Sequence, residues 1–161
     1  MDAENQTSEK IVVGVTSDTH GFLPPALIQA LSGVDLILHA GDLDTPDILQ
    51  RLEEIAPVKA ITGNTDHHPA FNKIPSTQLI EVGGVSIYMI HDLLRLNIDL
   101  PAAGVQVLIH GHLHVPEIRQ RQDVLYINPG SPSSPRGGSS PGYVKLTIQN
   151  QTPQAEWFAL R

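Results

Sequence analysis

The sequence of 161 residues contains no cysteine. Disulfide bonds and metal sites built from thiolates are therefore excluded. No apolar run approaches the roughly 18 uninterrupted residues that a membrane-spanning helix needs. Residues 1–10 are polar and acidic, without the apolar stretch of a signal peptide. These absences favour a soluble cytoplasmic protein, with residues 1–10 as a polar N-terminal tail and residues 11–161 as a single domain.

Positive charge is also scarce, because 10 Lys and Arg residues stand against 17 Asp and Glu residues, for a formal net charge of -7. Avid binding to nucleic acid without sequence preference depends on Lys and Arg side chains that neutralise phosphates. Nucleic acid is therefore not favoured as a partner. The composition does not fix the oligomeric state, so a homo-oligomer stays open.

The first part of the chain alternates strand and helix patterns. Continuous apolar runs predict strands, buried on both faces, over residues 11–15, 35–40 and 58–62. Between them, helices with proline in the first turn are predicted over residues 24–31 and 45–56, the second with Thr45 as its N-cap. This β-α-β-α-β order implies parallel strands joined by right-handed crossovers.

The later part of the chain predicts mainly strands. Their patterns cover residues 78–82, 85–90, 105–109, 117–120, 124–128, 143–149 and 155–160. Gly83-Gly84 and Gln122-Asp123 separate two pairs of these strands, as in β-hairpins. Because helices come early and strands late, we expect an α/β (α+β) fold with two sheets packed between helical layers. Residues 129–142, rich in Pro, Gly and Ser, predict a long loop.

Five short polar signatures each follow one of the apolar runs. They are Asp18-Thr19-His20, Gly41-Asp42, Gly63-Asn64, His91 and Gly111-His112-Leu113-His114. The carboxyl ends of parallel strands meet at one edge of a sheet, so these groups are expected to converge. Each signature alone is a common turn or strand-end pattern. Their conjunction in this order is what indicates a site.

The side chains of these signatures are ligands that metal ions prefer. They comprise two carboxylates, one amide and four imidazoles, namely Asp18, His20, Asp42, Asn64, His91, His112 and His114. Seven ligands exceed what one ordinary metal binds and suit two metals that share a ligand. Such a pair is typical of enzymes that hydrolyse phosphate esters.

The spacing suggests how these ligands reach one site. Asp18 and His20 are two residues apart, as are His112 and His114, so each pair would share a face if the strand end stays extended. The glycine before Asp42 allows close backbone approach and leaves a carboxylate oxygen for each of two metals.

Four histidines lie outside this set. His39 falls within a buried strand and is expected to be structural. His110 shares a strand face with His112 and is expected to support the ligands without binding metal. For His67 and His68, in a polar loop after Asn64, surface and substrate-side positions are both open.

These motifs resemble those of the calcineurin-like metallophosphoesterase superfamily. The resemblance covers residues 11–161 and is closest to its small, minimal bacterial and archaeal phosphodiesterases, relatives of the phosphoesterase-like subunit of retromer. A further element of this branch is Ile127-Asn128-Pro129-Gly130-Ser131, followed by Pro135-Arg136. The resemblance implies a four-layer αββα sandwich, with two mixed β-sheets packed between helices.

The resemblance also implies a ligand set for each of two divalent ions. The sets are Asp18, His20, Asp42 and His114 for the first ion, and Asp42, Asn64, His91 and His112 for the second. Asp42 would then bridge the ions and hold a metal-bridging hydroxide, which attacks phosphorus in line with the leaving group. Manganese (Mn2+) is the expected metal; iron, zinc and nickel are alternatives, since mixed nitrogen and oxygen ligands do not select among them.

One departure from the larger family concerns the residue after Asn64. Relatives usually carry histidine there, whereas this chain has Thr65, which is no general acid near neutral pH. Asn64, Thr65 and Arg136 are the expected substrate contacts; for Arg136, a position in solvent is the alternative. Two divalent ions, two aspartates and a hydroxide leave one net positive charge, which a small phosphodiester monoanion would neutralise.

The expected function is therefore that of a metal-dependent phosphodiesterase. The alternatives are a non-catalytic protein-binding module on the same fold and a phosphomonoesterase. All seven ligand positions hold competent residues, which favours an enzyme over a binding module. The short span between Asn64 and His91 leaves room for a hairpin but not for a substrate-specificity domain, which disfavours the monoesterase.

Overall fold

The computed structural model describes residues 9–161, so residues 1–8 of the predicted polar tail lie outside the described residues. The strands are β1 (Ile11–Thr16), β2 (Leu36–His39), β3 (Val58–Ala60), β4 (Thr77–Val82), β5 (Val85–Ile90), β6 (Val107–Ile109), β7 (Pro116–Arg121), β8 (Val124–Pro129), β9 (Gly142–Gln149) and β10 (Thr152–Ala159). The α-helices are α1 (Pro25–Ala30) and α2 (Pro46–Glu53). Single turns of 3-10 helix cover Pro69–Phe71 and Leu93–Arg95.

The first sheet has the strand order β10-β9-β1-β2-β3. Strands β1, β2 and β3 are parallel, and β9 and β10 extend the sheet in antiparallel pairing. The predicted β-α-β-α-β order is confirmed, with α1 and α2 as the crossovers. Helix α2 ends three residues before the predicted boundary at residue 56. Thr45 precedes it, but within the described chain its side chain makes no capping hydrogen bond.

The second sheet has the strand order β4-β5-β6-β8-β7. Strands β5, β6 and β8 are parallel, and the hairpins β4-β5 and β7-β8 supply the two antiparallel edges. Both predicted hairpins are confirmed. Gln122 (φ 50°) and Asp123 (φ 61°) are both left-handed, as a tight two-residue turn between twisted strands requires.

The main hydrophobic core lies between the two sheets. Val15 and Leu38 from the first sheet pack there with Ile87 and Ile109 from the second, and all four are fully buried. The continuous apolar runs arise because the opposite faces of these strands are also covered. Leu27 of α1 and Ile48 of α2, for example, belong to a second buried cluster on the outer face of the first sheet.

The outer face of the second sheet is covered differently. Tyr88, Leu108 and Tyr126 pack there against Leu93 and Leu96 and the chain that follows. This layer contains one turn of 3-10 helix and, among residues 9–161, no α-helix. The fold class, with two mixed sheets and few helices, is confirmed, but the fourth layer is largely loop. The 3-10 turn Leu93–Arg95 in this layer is not continued, because Leu96 adopts an extended backbone (ψ 122°).

No helix among residues 9–161 is long and apolar enough to cross a membrane.

The tight core between the sheets makes Leu38 sensitive to truncation. Leu38→Ala should lower the free energy of unfolding by about 2–5 kcal/mol, because it leaves a cavity that rigid strands fill poorly. Urea unfolding followed by circular dichroism measures the change. Leu79→Ala serves as control, since Leu79 is 56% exposed on the edge strand β4. Equal losses in the two variants would contradict this account of the core.

Candidate metal centre

The ligand side chains converge because the chain turns sharply after each strand. The backbone is left-handed at Asp18 (φ 56°), His20 (φ 46°), Asp42 (φ 59°), His112 (φ 72°) and His114 (φ 58°). This conformation is uncommon for residues other than glycine. The strand ends therefore do not stay extended, which was the condition for each pair to share a face. The turns are held by backbone bonds, such as those from Asp18 N to Gly41 O and from Gly111 N to His91 O.

One group of three residues could hold a metal ion with Asp18 at its centre. Asp18 Oδ1 lies 3.2 Å from His114 Nε2 and 3.8 Å from His20 Nε2. The two Nε2 atoms are 3.1 Å apart. A carboxylate oxygen and two imidazole nitrogens thus face one point, so the group could hold an ion. Asp18 and His20 follow β1 of the first sheet, whereas His114 follows β6 of the second.

A neighbouring group comprises Asp42, His91 and His112 and could hold a second ion. Asp42 Oδ2 lies 3.2 Å from His91 Nε2, and the rings of His91 and His112 are 5.3 Å apart. The amide oxygen of Asn64 lies 3.1 Å from His112 Nδ1 and adds an oxygen to this group. These ligands also come from both sheets, since Asp42 and Asn64 follow β2 and β3.

Asp42 faces both groups through one oxygen. Its Oδ2 atom lies 3.6 Å from His20 Nε2 and 3.2 Å from His91 Nε2. Its other oxygen, Oδ1, accepts a hydrogen bond from Thr65 N at 3.0 Å. The structure therefore differs from the expectation of one oxygen per metal: a single oxygen lies between the groups, and the backbone holds the other.

Hydrogen bonds on the far side of the rings set which imidazole nitrogen faces the site. Nδ1 of His91 donates to Ala40 O (2.7 Å), and Nδ1 of His114 donates to Ser134 O (2.6 Å). A carbonyl can only accept, so both Nδ1 atoms carry a proton, and in the neutral imidazole both Nε2 atoms keep a lone pair. Nδ1 of His20 lies 3.0 Å from Asp44 Oδ2 in the same way. Such partners orient metal-binding histidines.

Two buried atoms give a direct test of whether a cation fits. Asp18 Oδ1 and His91 Nε2, 3.7 Å apart, are buried and have no hydrogen-bond partner within residues 9–161. A buried polar atom without a partner is costly. A divalent ion in each ligand group would satisfy both atoms, and the nitrogen and oxygen donors suit a first-row transition metal.

The electrostatics of the site follow from burial and close contact. Burial raises the pKa of the Asp18 carboxyl, although hydrogen bonds from Ser17 and His112 and the charges of His91 and His114 act in the opposite direction. At Asp42, burial acts in the same direction, but the close imidazole of His91 and the hydrogen bond from Thr65 outweigh it and hold the pKa well below its usual range. Burial would lower the pKa of His91, yet the close carboxylates of Asp42 and Asp18 raise it.

Two glycines are required by the close approach of these loops. A Cβ atom at Gly63 would collide with Asp42 Oδ1, and one at Gly111 would collide with Ser17 Oγ and Asp18 Oδ2. These two glycines therefore make room for the ligand carboxylates of Asp42 and Asp18.

Sequence reasoning missed two aspartates that support the ligands. Asp66 Oδ2 accepts hydrogen bonds from Asp42 N (2.9 Å) and Gly63 N (2.8 Å), and Asp66 Oδ1 accepts one from Asp44 N (2.8 Å). Asp44 contacts His20 through Oδ2, and its Oδ1 atom accepts a hydrogen bond from the Thr65 hydroxyl. Asp44 and Asp66 each lie two residues after a signature residue, Asp42 and Asn64, and this was a visible signal in the sequence. The backbone partners of Asp66 at Asp42 and Asp44, however, are 24 and 22 residues away, so the sequence does not reveal these bonds.

The end of β8 and the segment that follows it support the ligand loops. Ser131 Oγ donates to Asp18 O at 2.7 Å, and Asn128 Nδ2 donates to Gly111 O at 3.1 Å. Arg136 N donates to His114 O at 3.0 Å. The side chain of Arg136 is exposed, so its backbone, rather than its guanidinium, is tied to the ligand loop.

The remaining histidines differ in role. His39 is fully buried, accepts from Gly41 N at Nδ1 and donates to Thr19 Oγ1, and burial lowers its pKa to about 3, so it is a neutral structural residue. His110 is buried, but within residues 9–161 neither ring nitrogen has a hydrogen-bond partner, so the expected support of His112 is not through a hydrogen bond. His67 and His68 are exposed, and His68 Nδ1 accepts from Ala70 N.

Known proteins are similar to this chain in fold and in sequence. Residues 11–151 match the family model of the calcineurin-like phosphoesterase superfamily domain. A probable metallophosphoesterase of Methanothermobacter thermautotrophicus is 38% identical, covering 91% of each chain. Phosphodiesterase YfcE of Escherichia coli K12 is 30% identical, covering 81% of this chain and 84% of that protein. A predicted phosphoesterase of Streptococcus pneumoniae TIGR4 has a crystal structure similar to this one, with a TM-score of 0.74 and 25% identity, covering 94% of this chain and 90% of that one.

The chain therefore belongs to the calcineurin-like phosphoesterase superfamily. It is a hydrolase of the metallophosphoesterase family with two groups of residues that could each hold a metal ion.

The three bonds to Asp66 predict that this residue governs metal affinity. Asp66→Asn replaces an acceptor oxygen with an NH₂ group, so at least one backbone N–H near Asp42 loses its partner. We expect the affinity for Mn2+ to fall about 10- to 100-fold, as measured by isothermal titration calorimetry. Asp123→Asn removes the same charge at a hairpin turn that suits asparagine and should bind Mn2+ like the unmodified protein. Equal affinities in both variants would refute a positioning role for Asp66.

Proposed function

We propose that this chain is a phosphodiesterase that uses two divalent metal ions. The observation that carries the proposal is the position of Asp42 Oδ2, which lies within 3.6 Å of His20 Nε2 in one ligand group and 3.2 Å of His91 Nε2 in the other. An anionic oxygen between two ligand groups is what a shared ligand of a metal pair requires. The orphaned atoms of Asp18 and His91 support the same assignment.

The proposed ligands are those that the two groups bring together. They are Asp18, His20, Asp42 and His114 for one ion, and Asp42, Asn64, His91 and His112 for the other. The ions, for which manganese is the first choice, would supply Lewis acidity and an activated water for in-line attack on phosphorus. The chain itself keeps the three Nε2 lone pairs of His20, His91 and His114 aimed inward and, through the Thr65 N–H group, fixes the rotation of the Asp42 carboxylate.

Diesters are favoured over monoesters by charge and by the absence of an acid at Thr65. The Thr65 hydroxyl donates to Asp44, so its proton is already used within the protein. The neighbouring Asp44 carboxylate adds negative charge, which disfavours a monoester dianion more than a diester monoanion. A relative at 30% identity is named phosphodiesterase, which supports the same choice.

A non-catalytic binding module on the same fold is the weaker candidate. Such a module would have no need for the unpartnered ligand atoms of Asp18 and His91, whose burial lowers the stability of the fold.

The proposed substrate contacts are Asn64, the backbone around Thr65, and Arg136. The exposed side chain of Arg136 starts from a backbone N–H that donates to His114 O.

The shared position of Asp42 predicts the outcome of its replacement. Asp42→Asn keeps the side-chain shape but removes the negative charge between the groups. We expect kcat/KM for bis(4-nitrophenyl) phosphate to fall at least about 100-fold, and bound manganese to fall below two ions per chain by elemental analysis. Asp123→Asn is again the matched control. Near-normal turnover with two ions bound in Asp42→Asn would overturn the shared-ligand assignment.

The lack of an acid at position 65 predicts a steep dependence of rate on the leaving group. Aryl diesters with acidic phenols should turn over much faster than alkyl diesters, because the departing oxygen receives no positioned proton. Thr65→His places an imidazole beside Asp44 and should recover part of the roughly 10²–10⁴-fold benefit of a positioned acid, chiefly for poor leaving groups. Kinetics of both proteins across a series of phenols give the two slopes. A flat slope in the unmodified protein would show that another acid is present.

A further inference from the structure

A cleft of about 750 Å³ opens beside one of the two ligand groups. Its inner end is formed by Asn64, His91 and His112. Asp18, His20 and His114, which form the other ligand group, do not line the cleft. The cleft therefore leads away from the metal centre on the side of His91 and His112. Its outer end is formed by Arg95 and Asn97, from the loop that covers the second sheet. The cleft therefore adjoins the ligand group of His91 and His112 and extends from it to the loop that covers the second sheet.

The middle of the cleft offers polar groups that the protein leaves unused. Tyr88 on β5 and Thr77 on β4 line it, together with Asn97. Tyr88 is only 9% exposed. Within residues 9–161, the side-chain polar atoms of these three residues make no hydrogen bond. The Tyr88 hydroxyl is accessible from the cleft, so a ligand there can form a hydrogen bond with it.

Arg95 gives the outer end of the cleft a positive charge. Among residues 9–161, it is the only Lys or Arg residue that lines the cleft, and Asp92 is the only Asp or Glu residue there. Its contact with Asp92 is loose, at 4.0 Å from Nε to Oδ2, and the side chain is 83% exposed. The terminal NH₂ groups are therefore free to form the paired hydrogen bonds that a guanidinium makes with carboxylates and phosphates.

We infer that this cleft binds the second organic group of the diester, and that Arg95 selects substrates in which this group ends in an anion. The inference rests on the proposed function and adds the substrate class. Tyr88, Thr77 and Asn97 contact the polar part of the group, and Arg95 pairs with a terminal carboxylate or phosphate. Water adds across the scissile P–O bond, so the departing alcohol leaves and the anionic group stays on the phosphomonoester product.

Three matched substrates test the selection by Arg95. Each is a 4-nitrophenyl phosphodiester whose second alkyl chain ends in a carboxylate, a phosphate or a neutral amide, so the leaving group is constant. For the manganese-loaded protein, we expect kcat/KM to be about 3- to 10-fold higher for at least one anionic substrate than for the amide. The carboxylate and phosphate arms show which anion is preferred. Chains of several lengths cover the distance from the metal centre to Arg95.

Arginine variants assign the preference to its source. In Arg95→Gln, the ratio of kcat/KM between the anionic and amide substrates should fall to about one. Arg121→Gln removes a comparable exposed charge from strand β7, outside the cleft, and should keep the ratio. Equal kcat/KM for all three substrates in the unmodified protein, or a ratio that survives in Arg95→Gln, would overturn the inference.

A tyrosine pair tests the middle of the cleft independently. Tyr88→Phe should raise KM about threefold for all three substrates, because the ligand loses one hydrogen bond. Tyr126→Phe is the matched control, since Tyr126 is 8% exposed on the same face of the sheet but does not line the cleft. An unchanged KM in Tyr88→Phe would remove Tyr88 from the binding site.

The failure of the proposed function would look different. If bis(4-nitrophenyl) phosphate and all three substrates remain intact, the phosphodiesterase assignment is wrong. Calorimetry with phosphonates that carry the same chains then tests the cleft by binding alone. Tighter binding of the anionic phosphonates, lost in Arg95→Gln, would support the cleft as an anion-selective site, and equal binding of all three would reject it.

Discussion

The carboxylate of Asp66 is the contact on which the arrangement of the metal centre depends. Both of its oxygens accept backbone N–H groups, two at Oδ2 and one at Oδ1, from the loops after β2 and β3. Because these are backbone groups, the bonds fix the path of the chain and not merely a side-chain rotamer. Asp42 and Asp44 are placed by the same carboxylate, and Asp44 in turn orients His20. One half-buried carboxylate thus determines the position of ligands in both groups.

Conformational strain at the ligands is the counterpart of this order. Five of the seven proposed ligands have a left-handed backbone, which costs about 1–3 kcal/mol per residue. The two packed sheets tolerate this cost because backbone bonds between loops, such as the one from His20 N to Asp42 O, continue beyond the strand ends. The packing energy of the core between the sheets therefore offsets the backbone strain of the ligand loops at the sheet edge.

Much of the fold could be predicted from the sequence, since apolar runs and turn residues are local signals. The parallel β1-β2-β3 unit and the hairpin around Gly83-Gly84 followed directly from them. The candidate ligands could be predicted because each comes directly after such a run or its glycine. The left-handed turn at Asp18 could not, because aspartate gives no strong signal for that conformation. The bonds of Asp66 were also hidden, since a short polar side chain with distant partners looks like an ordinary turn residue.

Each proposed ligand group draws its members from both sheets: Asp18 and His20 follow β1, whereas His114 follows β6, and the second group is divided in the same way. A bound ion would therefore cross-link the two sheets through its ligands. Separating the sheets would require loss of the ions, so metal availability would enter the folding equilibrium by mass action. A chain synthesised where metal is scarce would be both inactive and less resistant to unfolding, which links the quantity of folded protein to the quantity of competent enzyme.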